Sequence, residues 1–243
     1  MKILIFENYE KMSKEATRII AAQILRYPDS VLGLATGSTP MLTYKRLIRL
    51  CEEEIISFKK IKTFNLDEYL KIDIKNPASY HAFMEEVLFN KIDIDEKNWY
   101  IPNGNAEDID KECILYDKKI KEMGGIDLML LGMGSNGHIA FNEPGTSFST
   151  RTHVVDLEEN TIRDNSRFFD KLEDVPTQAI TLGMRSIMES KQILFMASGA
   201  NKAKAIRDAF EGPISVDVPA SILQLHPNAT ILLDEAAAME LGR

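Results

Sequence analysis

The chain has 243 residues, 44% hydrophobic and 27% charged, the proportions of a globular protein long enough for one full core. Its 29 basic and 37 acidic residues leave a net charge of −8, which argues against a nucleic-acid partner but leaves room for a small phosphorylated ligand held by a few cations and backbone amides. No run approaches the length of a membrane-spanning helix, and the start, MKILIFENYEK, turns acidic too soon for a signal peptide, so a cytoplasmic protein with no membrane partner is expected.

Residues 3–6, ILIF, read as the first strand. The stretch up to Pro28 then places Met12, Ala16, Ile19, Ile20 and Ile24 at helical spacing. VLGLA (31–35) is the next strand, followed by TGSTP and a helix through MLTYKRLIRLC. IKTFNL (61–66) is a third strand, and SYHAFMEEVLFN sets Tyr80, Phe83, Met84, Val87 and Leu88 on one helical stripe. A further helix stops at Gly124-Gly125, a pair suited to a helix C-terminus. Strands follow at 126–131, 152–157, 179–182, 192–198 and 229–234, with helices between most of them. Cys51 and Cys113 have no metal-ligand spacing; Cys113 falls in a helical pattern as a small core residue, and no disulfide is expected. Strand–helix alternation with nearly all-apolar strands indicates one α/β domain, 1–243, with a mainly parallel sheet covered by helices on both faces.

In such sheets ligands bind beyond the carboxyl ends of the strands, so the residues there are the candidates. After 31–35, Gly37, Ser38 and Thr39 offer amides and hydroxyls at a helix start, with Thr39 expected as the N-cap and Pro40 as the first helical residue. A well-capped helix and a phosphate cradle both fit this arrangement, and neither a Walker motif nor GxGxxG is present to imply a nucleotide. After 61–66, Asp67 is either a turn acid or, shielded in a cleft, a base able to take a proton from carbon. After 126–131 comes GMGSNGHIAFNEPG (132–145), glycine-rich backbone carrying Asn136, His138 and Glu143. Imidazole titrates near neutrality, and a carboxylate such as Glu143 can hold its tautomer or stabilise its charged form. A zinc centre fits poorly, because further ligands and HExxH spacing are missing. His81, His153 and His226 lie outside this cluster and read as structural. Arg167, one helical turn after Arg163, and Lys202, near a helix start after 192–198, are surface cations taken alone; a phosphate at Ser38 would need such partners.

LGLATGSTP, FNLDEY, IPNGNA, GHIAFNEPG, NSRFF, AITLGM and LQLHP, in this order, resemble glucosamine-6-phosphate deaminases, the shorter members in particular, over almost the whole chain. The resemblance implies a Rossmann-like three-layer α/β fold. It also implies conversion of D-glucosamine 6-phosphate and water to D-fructose 6-phosphate and ammonia, in amino-sugar catabolism, with no cofactor and no metal. His138 then corresponds to the ring-opening base, assisted by Glu143 and Asn136, and Asp67 to the base for the C2 proton. Gly37, Ser38, Thr39, Arg167 and Lys202 correspond to the phosphate site, with Arg167 on a lid around 157–176. Some members carry Asp where this chain has Asn136, and many have a second glycine where it has Ser38. A neutral Asn orients an imidazole but stabilises an imidazolium less. The rival readings are a related sugar-phosphate isomerase or phosphogluconolactonase, and a silent sugar-phosphate sensor. A lactonase needs no base at C2, and a sensor has no use for Asp67, His138 and Glu143 together. A monomer and a homo-oligomer are both compatible with the sequence.

Longer members that respond to N-acetylglucosamine 6-phosphate carry an Arg just after an SRT-like turn and a Lys two residues later, with a C-terminal tail completing the effector site. Here TRTHVVD puts His153 and Val155 in those places beside Asp156, and the sequence runs only to Arg243. No response to that compound is expected.

Overall fold

A computed structural model describes residues 1–242 of the chain. β1 (Lys2–Phe6) leads through Asn8, whose side chain accepts from the Lys11 amide, into α1 (Tyr9–Arg26). The chain continues through β2 (Val31–Leu34), α2 (Met41–Glu52), β3 (Lys62–Asn65), β4 (Asp67–Tyr69) and α3 (Tyr80–Val87). Then come β5 (Trp99–Tyr100), α4 (Ile109–Glu122), β6 (Leu128–Leu131), β7 (His153–Asp156) and α5 (Glu159–Asn165). β8 (Gln178–Thr181), α6 (Met184–Met188), β9 (Ile193–Ala197), α7 (Ala203–Phe210) and β10 (Ala229–Asp234) complete it. Gly124 and Gly125, with φ of 87° and 80°, stop α4 as the sequence predicts.

Seven strands form one sheet in the order β1-β10-β9-β6-β2-β3-β5, every pair parallel. Successive side chains of a strand point to opposite faces, and here both faces are dry. Leu128, Leu130, Leu194, Met196 and Leu232 pack with Met12, Ile20 and Ile24 of α1, Leu47 of α2 and Met84 of α3. Met129, Leu131, Ile193, Phe195, Ile231 and Leu233 pack with Tyr116 of α4, Ile187 of α6 and Ile206 and Phe210 of α7. Burial on both sides is why these strands read as continuous apolar runs. The three layers match the Rossmann-like α/β class expected from the sequence. Cys113 is buried and both cysteines are free. Among the described residues no helix is long and apolar enough to cross a membrane.

Three features depart from the sequence expectations. β4, β8 and β7 pair in that order into a separate antiparallel sheet, because Asp67 pairs with Thr181 and His153 with the same residue from the other side. Their runs resemble the parallel strands because Ala179 and Tyr69 are buried in a satellite core of their own, with Ile72, Phe141 and Leu157. β5 was too short to give a period. Thr39 is not the N-cap of α2: Pro40 holds that position with φ −80° and ψ −8°, and no side chain caps from within the turn. The Leu42 amide is satisfied instead by the Tyr9 hydroxyl at 3.2 Å, which leaves Thr39 free of that duty.

Candidate active site

The sheet reverses its winding at β2, with β3 and β5 on one side and β6, β9 and β10 on the other. Loops leaving adjacent strands on the two sides of such a point diverge and open a crevice. A cavity of about 410 Å³ lies there, within the range of small-ligand sites. Its lining includes Thr36, Gly37, Ser38 and Thr39 after β2, Asp67 after β3, Gly132, Met133, Gly134 and His138 after β6, and Ser198, Asn201 and Lys202 after β9. Arg167 and Asp164 reach it from the segment that follows β7. Of the residues singled out in the sequence, Asn136 and Glu143 are the two that do not line the cavity; both stand behind His138.

Asp67 sits where the chain steps from one sheet to the other, with the Leu182 amide donating to the Leu66 carbonyl at 2.7 Å. It is 6% exposed, and among the described residues no cation pairs with it. Burial, with the neighbouring Glu68 carboxylate adding to it, pushes the Asp67 carboxyl up to about 8. Glu68 points the other way and accepts from the amides of Tyr69, Tyr80 and His81, tying β4 to the start of α3.

His138 presents its Nδ1 to Glu143 Oε2 at 3.2 Å. A methyl on Gly134 would overlap the imidazole, so glycine at this position makes room for the ring. Glu143 uses both oxygens: Oε2 takes His138 and the Asn136 amide at 2.8 Å, and Oε1 takes the Thr161 hydroxyl at 2.6 Å. Burial alone would raise this carboxyl, but the hydrogen bond and charge of His138, with Thr161 and Asn136, outweigh it and hold it at about 2. An ionised Glu143 fixes the proton of His138 on Nδ1 and leaves Nε2 as the free proton-moving atom.

At the other end of the cavity Gly37, with φ 88°, turns the chain in the left-handed region. The Tyr9 hydroxyl braces this turn against the carbonyls of Ser38 (3.2 Å) and Thr39 (3.0 Å). Burial lowers the pKa of the Lys202 ammonium, Asp164 opposes that and Arg167 adds to it. An anion placed between two such cations restores what burial takes away. Behind Lys202, Asp234 at the end of β10 accepts from the Gly199 amide and the Ser198 hydroxyl, fixing the loop. Tyr9, Glu158, Thr161 and Asp234 are the supports that sequence reasoning missed, since each reaches the site only through a contact distant in the chain. Of the remaining histidines, buried His226 bonds the Ser190 carbonyl through Nε2 and accepts from the Asn228 amide through Nδ1.

The described fold and site have close counterparts among known proteins. A family model described as glucosamine-6-phosphate isomerases/6-phosphogluconolactonase matches residues 7–232. A glucosamine-6-phosphate deaminase of Clostridium botulinum (strain Eklund 17B / Type B) is 53% identical over 242 residues, covering 100% of this chain and 97% of the relative. The one from Clostridium novyi (strain NT) is 54% identical, covering 99% and 100%. A solved structure described as a monomeric glucosamine-6-phosphate deaminase superposes with a TM-score of 0.97 at 48% identity, over 99% of this chain and 100% of that one. The 6-phosphogluconolactonase of Trypanosoma brucei shares the fold, with a TM-score of 0.76 at 20% identity over 99% and 98%. A family match over most of the chain and relatives above 50% identity along its whole length place this chain in the glucosamine-6-phosphate isomerase/6-phosphogluconolactonase family.

Proposed function

We propose that this protein is a glucosamine-6-phosphate deaminase, converting D-glucosamine 6-phosphate and water to D-fructose 6-phosphate and ammonia. The observation that carries the reading is the shared cavity: a buried carboxylate without a cation, a histidine backed by Glu143 and a loop bearing Lys202 all line it. Sequence identity above 50% to proteins named for this activity supports the same choice over a lactonase.

In this reading the phosphate rests against Gly37, Ser38 and Thr39 and is clamped by Arg167 and Lys202. His138, held by Glu143, moves the protons that open the sugar ring. Asp67 then removes the C2 proton of the open-chain aldehyde; the electron pair moves to the C1–C2 bond and the carbonyl oxygen takes a proton, giving an enolamine. Return of a proton to C1 leaves a C2 iminium. Water adds to it, and loss of ammonia gives the ketone. A base near pKa 8 suits the step, because a pKa close to the working pH combines a populated base form with driving force for the proton transfer. Asn136 orients the pair as a neutral amide. The segment 157–176 acts as a lid, since it leaves β7 and returns to β8 at paired positions. The similar structure described as monomeric makes a monomer the proposed state.

A coupled assay for ammonia release from glucosamine 6-phosphate tests the reading, with 6-phosphogluconolactone hydrolysis as the comparison. Hydrolysis of the lactone without ammonia release would replace it.

A further inference from the structure

Asn136 stands where the glycine-rich loop, the His138–Glu143 pair and the start of α5 meet. Its side-chain oxygen accepts from the His138 amide at 3.2 Å, and its two amide protons go to Glu143 Oε2 at 2.8 Å and Glu158 Oε2 at 2.9 Å. Each polar atom of the side chain is used, so its orientation is fixed: turned over, its oxygen would face two carboxylates. Glu158 directly precedes α5, and its backbone amide donates to Glu143 Oε1 at 3.3 Å beside the Thr161 hydroxyl. Two acids on separate elements are thus joined through one neutral amide. Among the described residues neither of them pairs with a Lys or Arg.

We propose that Glu158 is a positioning residue for the reaction, and that residue 136 must be an amide in this chain because it bridges Glu158 to Glu143. The bridge docks the first turn of α5, and with it the segment that carries Arg167, onto the His–Glu pair. The kinetic consequences rest on the deaminase reading; the docking itself does not.

A carboxylate at 136 would bring three acids together with no proton donor between them, and like charge would oppose the docked state. The effect of changing Glu158 then depends on what stands at 136. With Asn136 present, Glu158→Gln keeps an oxygen that accepts from the amide, and docking persists. With Asp at 136, the same change restores a donor to the 136–158 contact, one of the two that have been lost. A side chain that merely fills space would not show this reversal.

The test is a double-mutant cycle of Asn136→Asp and Glu158→Gln, read in two ways. One is hydrogen exchange of the amides at 159–165 in the ligand-free protein, and the other is KM for glucosamine 6-phosphate. Glu158→Gln alone turns a charge-assisted contact into a neutral one and is expected to raise both by a few-fold. Asn136→Asp is expected to raise both about tenfold or more while exchange in the parallel sheet stays slow, and the double variant to recover part of that loss, so that Glu158→Gln lowers both values in the Asn136→Asp background. Equal effects of Glu158→Gln in the two backgrounds would overturn the proposal. Should Asn136→Asp not fold, Glu158→Ala in the native background decides: exchange at 159–165 about tenfold faster supports the bridge, and unchanged exchange overturns it. A wild-type protein that releases no ammonia would remove the deaminase reading and leave the exchange cycle to settle this one.

Discussion

Asp67 carries a cost in stability that follows from its burial. Its carboxyl ionises near 3.8 in an unfolded chain and is held protonated up to about 8 in the fold. Between those values the folded state binds the extra proton, so stability falls as pH rises through that window. Asp67→Asn is expected to abolish ammonia release and solvent exchange at C2 while raising unfolding stability at pH 8 by on the order of 1–2 kcal/mol. Denaturant unfolding at pH 5 and 8 checks this, and a variant less stable than wild type at pH 8 would contradict it. In the free enzyme kcat/KM should climb with pH toward about 8 as the base form appears. Glu143 has the opposite sign: its depressed pKa contributes stability above about 4.5 that is lost as pH falls toward 2. Gly134→Ala offers a second test, since the added methyl would push the imidazole off Glu143. A drop in kcat of about 10²-fold with little change in melting temperature is the expected result. Asp67, His138, Gly37 and Lys202 were legible in the sequence because each follows an apolar run that could only be a strand. Tyr9 and Thr161 were not, because nothing near them in the chain reports where their hydroxyls will land.

Among the elements, the stretch between β7 and β8 leaves and rejoins the antiparallel sheet at neighbouring positions. Val155 pairs with Ala179, and the Leu157 amide donates to the Thr177 carbonyl at 2.8 Å, so both ends are anchored at one place. The sequence did not disclose the antiparallel direction: apolar runs of four residues look alike whichever direction their neighbours take. Phe169 packs edge-on against Tyr69, and Ser135 bonds Asp164 at 2.7 Å, contacts that hold the segment beside the cavity that Asp164, Arg167 and Phe168 line. Arg167→Ala is expected to raise KM for glucosamine 6-phosphate about tenfold or more, as loss of a charge-assisted contact to phosphate should, with unfolding unchanged. An unaltered KM would take Arg167 out of the site. The brace at Tyr9 gives a milder case. Tyr9→Phe removes the hydrogen bonds to Ser38, Thr39 and Leu42, and KM should rise several-fold with kcat nearly kept.

For the whole molecule the question is whether a second ligand can be felt at the cavity. The turn before β7 keeps its cation occupied: Arg151 pairs with Glu189 through both guanidinium nitrogens at 2.6 and 2.7 Å. His153 bonds the Arg151 carbonyl and Asp156 stands at the far end of the same strand. An effector phosphate would have to break the Arg151–Glu189 pair and face a carboxylate, which leaves little of the roughly 1–3 kcal/mol that allosteric coupling needs. Steady-state kinetics in glucosamine 6-phosphate should be hyperbolic and unmoved by N-acetylglucosamine 6-phosphate. Sigmoidal curves made hyperbolic by that compound would refute this.

The strand order has a consequence for how the molecule is made. β1 sits at the edge of the sheet and has β10 as its one neighbour there, with Lys2 beside Thr230 and Phe6 beside Asp234. Synthesis delivers β1 first and β10 last. Contacts between strands so far apart in sequence are slow to form, because the whole intervening length must be brought together before they repay anything. While the ribosome works toward Ala229, the edge of β9 that β10 will cover and the whole of β1 have no strand partner, and unpaired edges of this kind attract other chains. β10 joins β1 to β9 and so acts as the clasp, and the chain is expected to be most prone to aggregate just before that clasp closes.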